Sequence, residues 1–230
     1  MQFDSGVSAV FLFYDQRLDA DQGHRRQFRK VDMRKVMFLP GAGGSAEFWK
    51  PAGSRLPVAW SPIYFAWPGL GDQPHDPDVN GIDDLTALVL AKIDSPVDVV
   101  AQSLGGVIAV RIALANPGMV RRLVLTATSG GVNMARFGAS DWRADYRILF
   151  PNAAQWITQR HSCPDLAVER ISSPTLLIWG DADSISPTAV GRYLERRIPN
   201  ARLRIIPGGD HDLAINQADV VASLITDHLA

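Results

Sequence analysis

The chain has 230 residues, 47% of them hydrophobic and 20% charged. That is long enough for one sizeable core, and the composition excludes a disordered, collagenous or disulfide-stapled chain. Lys and Arg total 23 against 24 Asp and Glu, a formal net charge of -1, so nucleic acid and an anionic membrane surface are not expected partners. The single cysteine, Cys163, forbids an intrachain disulfide and is compatible with a reducing compartment.

Residues 7–14 form a short apolar run between Asp4 and Asp15. A secretory signal carries positive charge before its apolar stretch, and a bilayer span needs about 20 residues. The run therefore reads as a strand, and a cytoplasmic location is the expectation. Residues 18–35 are polar and basic and read as a solvated loop. The chain divides into an N-terminal extension, 1–32, and a domain over 33–230, with Met33 a candidate natural start.

From there short apolar runs bounded by Gly or Pro predict strands over 36–39, 63–67, 97–101, 122–127, 175–179 and 202–206. Between them, residues 82–93 place Ile82, Leu85, Leu88, Val89 and Ile93 on one helical face. Residues 104–116 are small and apolar throughout, as in a helix buried against a sheet. Amphipathic helices are predicted over 188–198 and 212–229. Strands alternating with helices imply an α/β fold, with a mostly parallel central sheet covered on both faces. Residues 130–170 break the alternation and read as a helical insert carrying Phe137, Trp142, Tyr146, Phe150 and Trp156. The four-residue spacing of Trp142, Tyr146 and Phe150 puts them on one helix face. They are expected, with Trp156, to pack the insert down and to roof a pocket.

The third strand runs into Val-Val-Ala-Gln-Ser-Leu-Gly-Gly, residues 99–106. A serine on a sharp strand-to-helix turn needs small residues two before and two after it, because side chains there would collide across the turn. Ala101 and Gly105 meet that need, and Ser103 then stands beside the free N–H groups of the helix start. A serine hydroxyl needs a base. Of five histidines, His211 lies in a Gly-rich turn between the last strand and the last helix. His75 and His161 lie in loops and are weaker pocket candidates, while His24 and His228 read as solvated.

This arrangement resembles the nucleophile elbow of the α/β-hydrolase superfamily, with Ala101 in place of the first glycine of Gly-X-Ser-X-Gly. The resemblance covers residues 35–230 and implies a Ser, acid, His chain order. It assigns Ser103 as nucleophile, His211 as base and Asp183 as the orienting acid. Asp181 competes for that last role, and Asp210 and Asp212 are poor candidates. It further implies an oxyanion hole built from the backbone N–H of Leu104 and of Ala42, the latter in Leu-Pro-Gly-Ala-Gly-Gly, residues 39–44. That loop lacks the Gly-Lys-Ser/Thr ending of a phosphate-binding loop. Trp49 and Trp67 are expected to shape the site by packing more than by touching substrate.

An eight-stranded sheet, a small cap and a modest, partly open pocket are implied as well. The expected activity is a serine esterase or thioesterase acting on a small-molecule acyl substrate, with no metal or organic cofactor and no membrane partner. Hydrolysis of a C–C bond, a cofactor-free lyase and a non-catalytic ligand receptor remain alternatives on the same residues.

Overall fold

Short β-branched and apolar segments need both faces covered when they pair in parallel, and this requirement organises the chain. The computed structural model describes residues 33–159 and 165–230. Six strands pair side by side: β1 (Arg34–Leu39), β2 (Trp60–Tyr64), β3 (Val97–Gln102), β4 (Val120–Thr126), β5 (Thr175–Gly180) and β6 (Ala201–Ile206). All neighbours are parallel, in the order β2-β1-β3-β4-β5-β6. The helices are α1 (Lys50–Gly53), α2 (Ile82–Leu90), α3 (Leu104–Ala115), α4 (Arg143–Leu149), α5 (Thr188–Arg197), α6 (Leu213–Asn216) and α7 (Ala218–Leu229).

Successive strand residues feed opposite faces. Met37, Leu39, Val99, Ala101, Leu123, Leu125, Leu177 and Trp179 pack with α2, α3 and α5. Val36, Phe38, Val100, Val124, Leu176 and Ile178 pack with α1, α6 and α7. Both sets are buried, which is why the strands read as continuous apolar runs.

Several elements depart from expectation for physical reasons. The second strand lies over 60–64, not 63–67. Among the described residues it is an edge strand, where Pro62 costs no ladder bond, and the end of its apolar run leaves the sheet so that Trp67 N can donate to Gly44 O at 2.8 Å. Helix α2 stops at Leu90, and Leu88, 38% exposed, turns to solvent instead of joining the buried face. The last predicted helix is broken at Gln217 into α6 and α7. Six strands are present among the described residues where the resemblance implies eight. The strand expected at 7–14, residues 18–32 of the loop expected over 18–35, His24, His161 and Cys163 lie outside the described residues, while Arg34 and Lys35 of that loop belong to β1. His228 is half-buried, not solvated. Its Nε2 lies 3.2 Å from Pro174 O, and burial holds its imidazole below the ordinary value.

The N-terminal end of the sheet carries a fully buried carboxylate. Asp98 on β3 is bound by Arg34 from β1 and by Arg121 beside it on β4, the latter through contacts of 3.1 and 2.8 Å. Both arginines reach solvent with part of their side chains, so the cluster spans core and surface. Asp98→Ala is expected to cost about 3 kcal/mol of stability, read in urea unfolding, with turnover of the folded enzyme unchanged.

His228 gives a second expected outcome. Its buried neutral form adds stability above the unfolded-state value, about 6.5, and that stability is lost as pH falls through the lower folded value. His228→Gln should therefore lose less of its thermal midpoint than wild type between about pH 7.5 and pH 5.

Candidate active site

The turn from β3 to α3 puts Ser103 at φ 50° and ψ -116°, a region that non-glycine residues rarely occupy. Three hydrogen bonds hold it there. Ser103 N donates to Thr126 O at 3.0 Å, and Ser103 O accepts from Gly106 N at 3.0 Å and from Thr128 Oγ1 at 2.6 Å. Gly105 has no room for a side chain: a Cβ would lie 2.5 Å from Leu39 O and 2.6 Å from Pro40 O. The start of α3 therefore presses directly on the loop that follows β1.

That loop, residues 39–44, has its carbonyl oxygens captured from outside. Trp49 Nε1 donates to Leu39 O at 2.9 Å, Trp67 Nε1 to Pro40 O at 2.8 Å, and Tyr146 Oη to Ala42 O at 2.8 Å. Gly44 N closes the turn onto Gly41 O at 3.1 Å, with Gly44 at φ 70°. Both tryptophans are fully buried and border no part of the cleft described below. Their part is to pack and to donate, a role that only the fold reveals. Among the described residues the backbone N–H groups of Ala42 and Leu104 have no hydrogen-bond acceptor.

His211 follows β6, in a loop packed so tightly on the end of β5 that a Cβ at Gly180 would overlap the Gly209 backbone. Its Nδ1 lies 2.8 Å from Asp183 Oδ2. The buried Asp183 carboxylate also accepts Ile185 N at 2.8 Å and Ser186 N at 2.9 Å through Oδ1, so it is oriented on both oxygens. Asp181 instead accepts Gly208 N at 2.6 Å and braces the histidine loop. Asp210 holds Asn216. Of the four aspartates weighed, Asp183 is the one paired with the imidazole.

Gln102, which the sequence reading passed over, donates from Nε2 to His211 O at 3.2 Å. Its position immediately before the serine was the available signal. Ser103 and His211 border the same cleft. Among the described residues they are not hydrogen-bonded to each other; such contacts often tighten only with substrate in place.

The cleft encloses about 660 Å³ between this centre and the insert. Trp142, Tyr146 and Phe150 line it as one stripe, with ring centroids 5.4 Å apart for the first pair and 5.0 Å for the second. Trp156 does not line it. The chain turns at Phe150, and Trp156 sits on a separate 3-10 turn where it packs against the core. His75 is also outside the lining, with Nε2 2.8 Å from Asn152 O. Four carboxylates border the cleft, Glu47, Asp141, Asp145 and Asp212, and no Lys or Arg does among the described residues. Burial pushes the Asp212 carboxyl up; His211 opposes this, and the Asp210 and Asp183 carboxylates reinforce it. Among the described residues no three His, Cys, Asp or Glu side chains converge as a metal site.

A parallel sheet with a strained serine between strand and helix, and an acid–imidazole pair at the neighbouring strand ends, defines an α/β-hydrolase architecture. Residues 36–224 match the alpha/beta hydrolase family, and the chain belongs to it. It is 28% identical over 252 aligned positions to the pimeloyl-[acyl-carrier protein] methyl ester esterase of Neisseria meningitidis, covering 88% of this chain and 80% of that protein. It is 26% identical over 264 positions to the poly(3-hydroxyalkanoate) depolymerase of Ectopseudomonas oleovorans, covering 95% and 93%. The enol-lactonase of Burkholderia xenovorans LB400 superposes with a TM-score of 0.69 at 19% identity, over 86% of this chain and 92% of that one, a likeness of fold.

The tight approach at Gly105 is directly testable. Gly105→Ala forces a methyl against two backbone carbonyls and should destabilise the fold by about 1–3 kcal/mol. Gly118→Ala, with nothing within 4 Å of the added carbon, should leave the urea midpoint close to wild type.

Proposed function

We propose that the protein is a serine hydrolase that cleaves a carboxylic ester or thioester through an acyl-enzyme on Ser103. The observation that carries this reading is the His211–Asp183 pair, 2.8 Å apart, whose imidazole borders the same cleft as Ser103 on its strained turn. The methyl ester esterase activity named for the Neisseria relative supports the same bond class.

In the proposed reaction Ser103 Oγ attacks the carbonyl carbon and its proton passes to His211 Nε2. The negative oxygen of the tetrahedral intermediate accepts the N–H groups of Ala42 and Leu104. Asp183 holds the imidazole through Nδ1 and stabilises its charged form. The intermediate collapses, and His211 gives its proton to the departing alcohol or thiol. Water then enters, gives a proton to His211 and attacks the acyl carbon. Collapse of the second intermediate returns the proton to Ser103 and frees the acid. Trp142, Tyr146 and Phe150 supply the apolar wall against which the acyl chain lies.

A fluorophosphonate probe and a panel of p-nitrophenyl esters test the assignment. Ser103→Ala should lose both labelling and turnover. Asp183→Asn should lose about 10⁴-fold in kcat, whereas Asp181→Asn should stay within a few-fold of wild type. Undiminished hydrolysis by Ser103→Ala would refute the reading, and labelling without turnover of any ester or thioester would favour a ligand receptor.

A further inference from the structure

The insert supplies more than a wall. Tyr146, 7% exposed, sends its hydroxyl out of the aromatic stripe and into the backbone on the other side of the cleft. Tyr146 Oη accepts from Gly71 N at 2.8 Å and donates to Ala42 O at 2.8 Å. A phenylalanine would fill the same space against Trp142 and Phe150, so packing alone does not account for a hydroxyl at this depth. A buried phenol that makes two short hydrogen bonds is there for the groups it bonds. Burial also pushes the phenol further above its ordinary value, so the hydroxyl keeps the proton that it donates.

What it bonds is the turn that presents Ala42 N–H. The peptide before Ala42 is held by Gly44 N on Gly41 O. Among the described residues, the carbonyl after it has Tyr146 as its donor. The two other side-chain donors to this loop, Trp49 and Trp67, belong to segments flanking β1 and β2. Tyr146 alone of the three comes from the insert, on α4. The same hydroxyl holds Gly71, whose backbone abuts Gly43 so closely that a Cβ there would overlap Gly43 O. The hydroxyl thus secures the loop directly at Ala42 and indirectly through Gly71.

We propose that Tyr146 is a positioning residue that fixes the Ala42 oxyanion donor from the cap, so that seating of α4 and readiness of the oxyanion hole are a single equilibrium. The inference rests on the serine-hydrolase reading above. It differs from a wall role in its consequence: loss of the hydroxyl should impair the transition state more than substrate binding.

Tyr146→Phe keeps the ring and removes the two hydrogen bonds. With a short ester such as p-nitrophenyl acetate, kcat should fall at least about tenfold, short of the 10²–10³-fold loss that follows deletion of an oxyanion donor, while KM stays within about twofold. Affinity for a boronic acid that forms a tetrahedral serine adduct should fall in proportion to kcat/KM. A folded variant with unchanged kcat, or with the whole loss in KM, would overturn the proposal. So would unchanged boronate affinity.

A measurement on the unmodified protein guards against a variant that does not fold. Because coupling is reciprocal, boronate bound in the hole should slow exchange of the Gly71 amide hydrogen, and an unaltered exchange rate would overturn the proposal. Wild-type protein that fluorophosphonate fails to label would instead remove the serine-hydrolase reading itself, before any variant is made.

Discussion

The backbone of Ser103 is held where an L-residue resists going, and a closed set of hydrogen bonds keeps it there. Ser103 O accepts from Thr128 Oγ1; Thr128 O accepts from Ser186 Oγ; Ser186 N donates to Asp183; Asp183 pairs with His211; and His211 O accepts from Gln102, the residue bonded to Ser103. The circuit runs through the loops that follow β3, β4, β5 and β6. Ala127, at φ 45°, is a second non-glycine residue at positive φ, at the point where β4 delivers Thr128 into it. Strain of this kind persists only where the surroundings over-determine it, and here the surrounding bonds are the same ones that orient the imidazole.

The two ends of the sheet do different work. All six strands run in one direction, so one edge collects the strand ends that bear Ser103, Asp183 and His211. The other edge collects the strand starts, where Asp98 is buried between Arg34 and Arg121. Removing charge at the second edge is a question of stability. Removing it at the first is a question of chemistry. The aromatic donors bridge these concerns, because Trp49 and Trp67 are core residues whose N–H groups shape the loop at the functional edge.

Much of this was legible in the sequence, and the exceptions share a cause. Apolar runs of four to six residues marked β1, β3, β4 and β5 because both faces of each are largely buried, whereas the outer β2 and β6 are only partly covered. Small residues at 101 and 105 marked the elbow because their spacing follows from a local turn. The helical face of Trp142, Tyr146 and Phe150 followed from the four-residue period. The polar parts of the circuit, Gln102, Thr128 and Ser186, were not legible, since each acts through a backbone group distant in sequence. Leu88 and His228 were misjudged for a related reason. Whether one side of a helix is covered depends on the next element, and periodicity alone does not reveal that element. Trp156, grouped with Trp142, Tyr146 and Phe150 as an aromatic of the same insert, failed because the chain turns at Phe150 and sets it on a separate 3-10 turn.

The charge on the walls of the cleft gives the proposed reaction a direction. A substrate ester enters uncharged and gains nothing or little from Glu47, Asp141, Asp145 and Asp212. On the proposed reading, hydrolysis leaves a carboxylate where the ester was, beside Asp145 and Asp212 and beside two carboxylates that already hold cations, Glu47 with Lys50 and Asp141 with Arg143. Repulsion at short range in a partly desolvated space is stronger than in open water, and burial, reinforced by Asp210 and Asp183, already pushes the Asp212 carboxyl up. On that reading, the same walls favour the neutral acyl group over its acid. The proposed cycle then ends with a product held less firmly than the ester that preceded it.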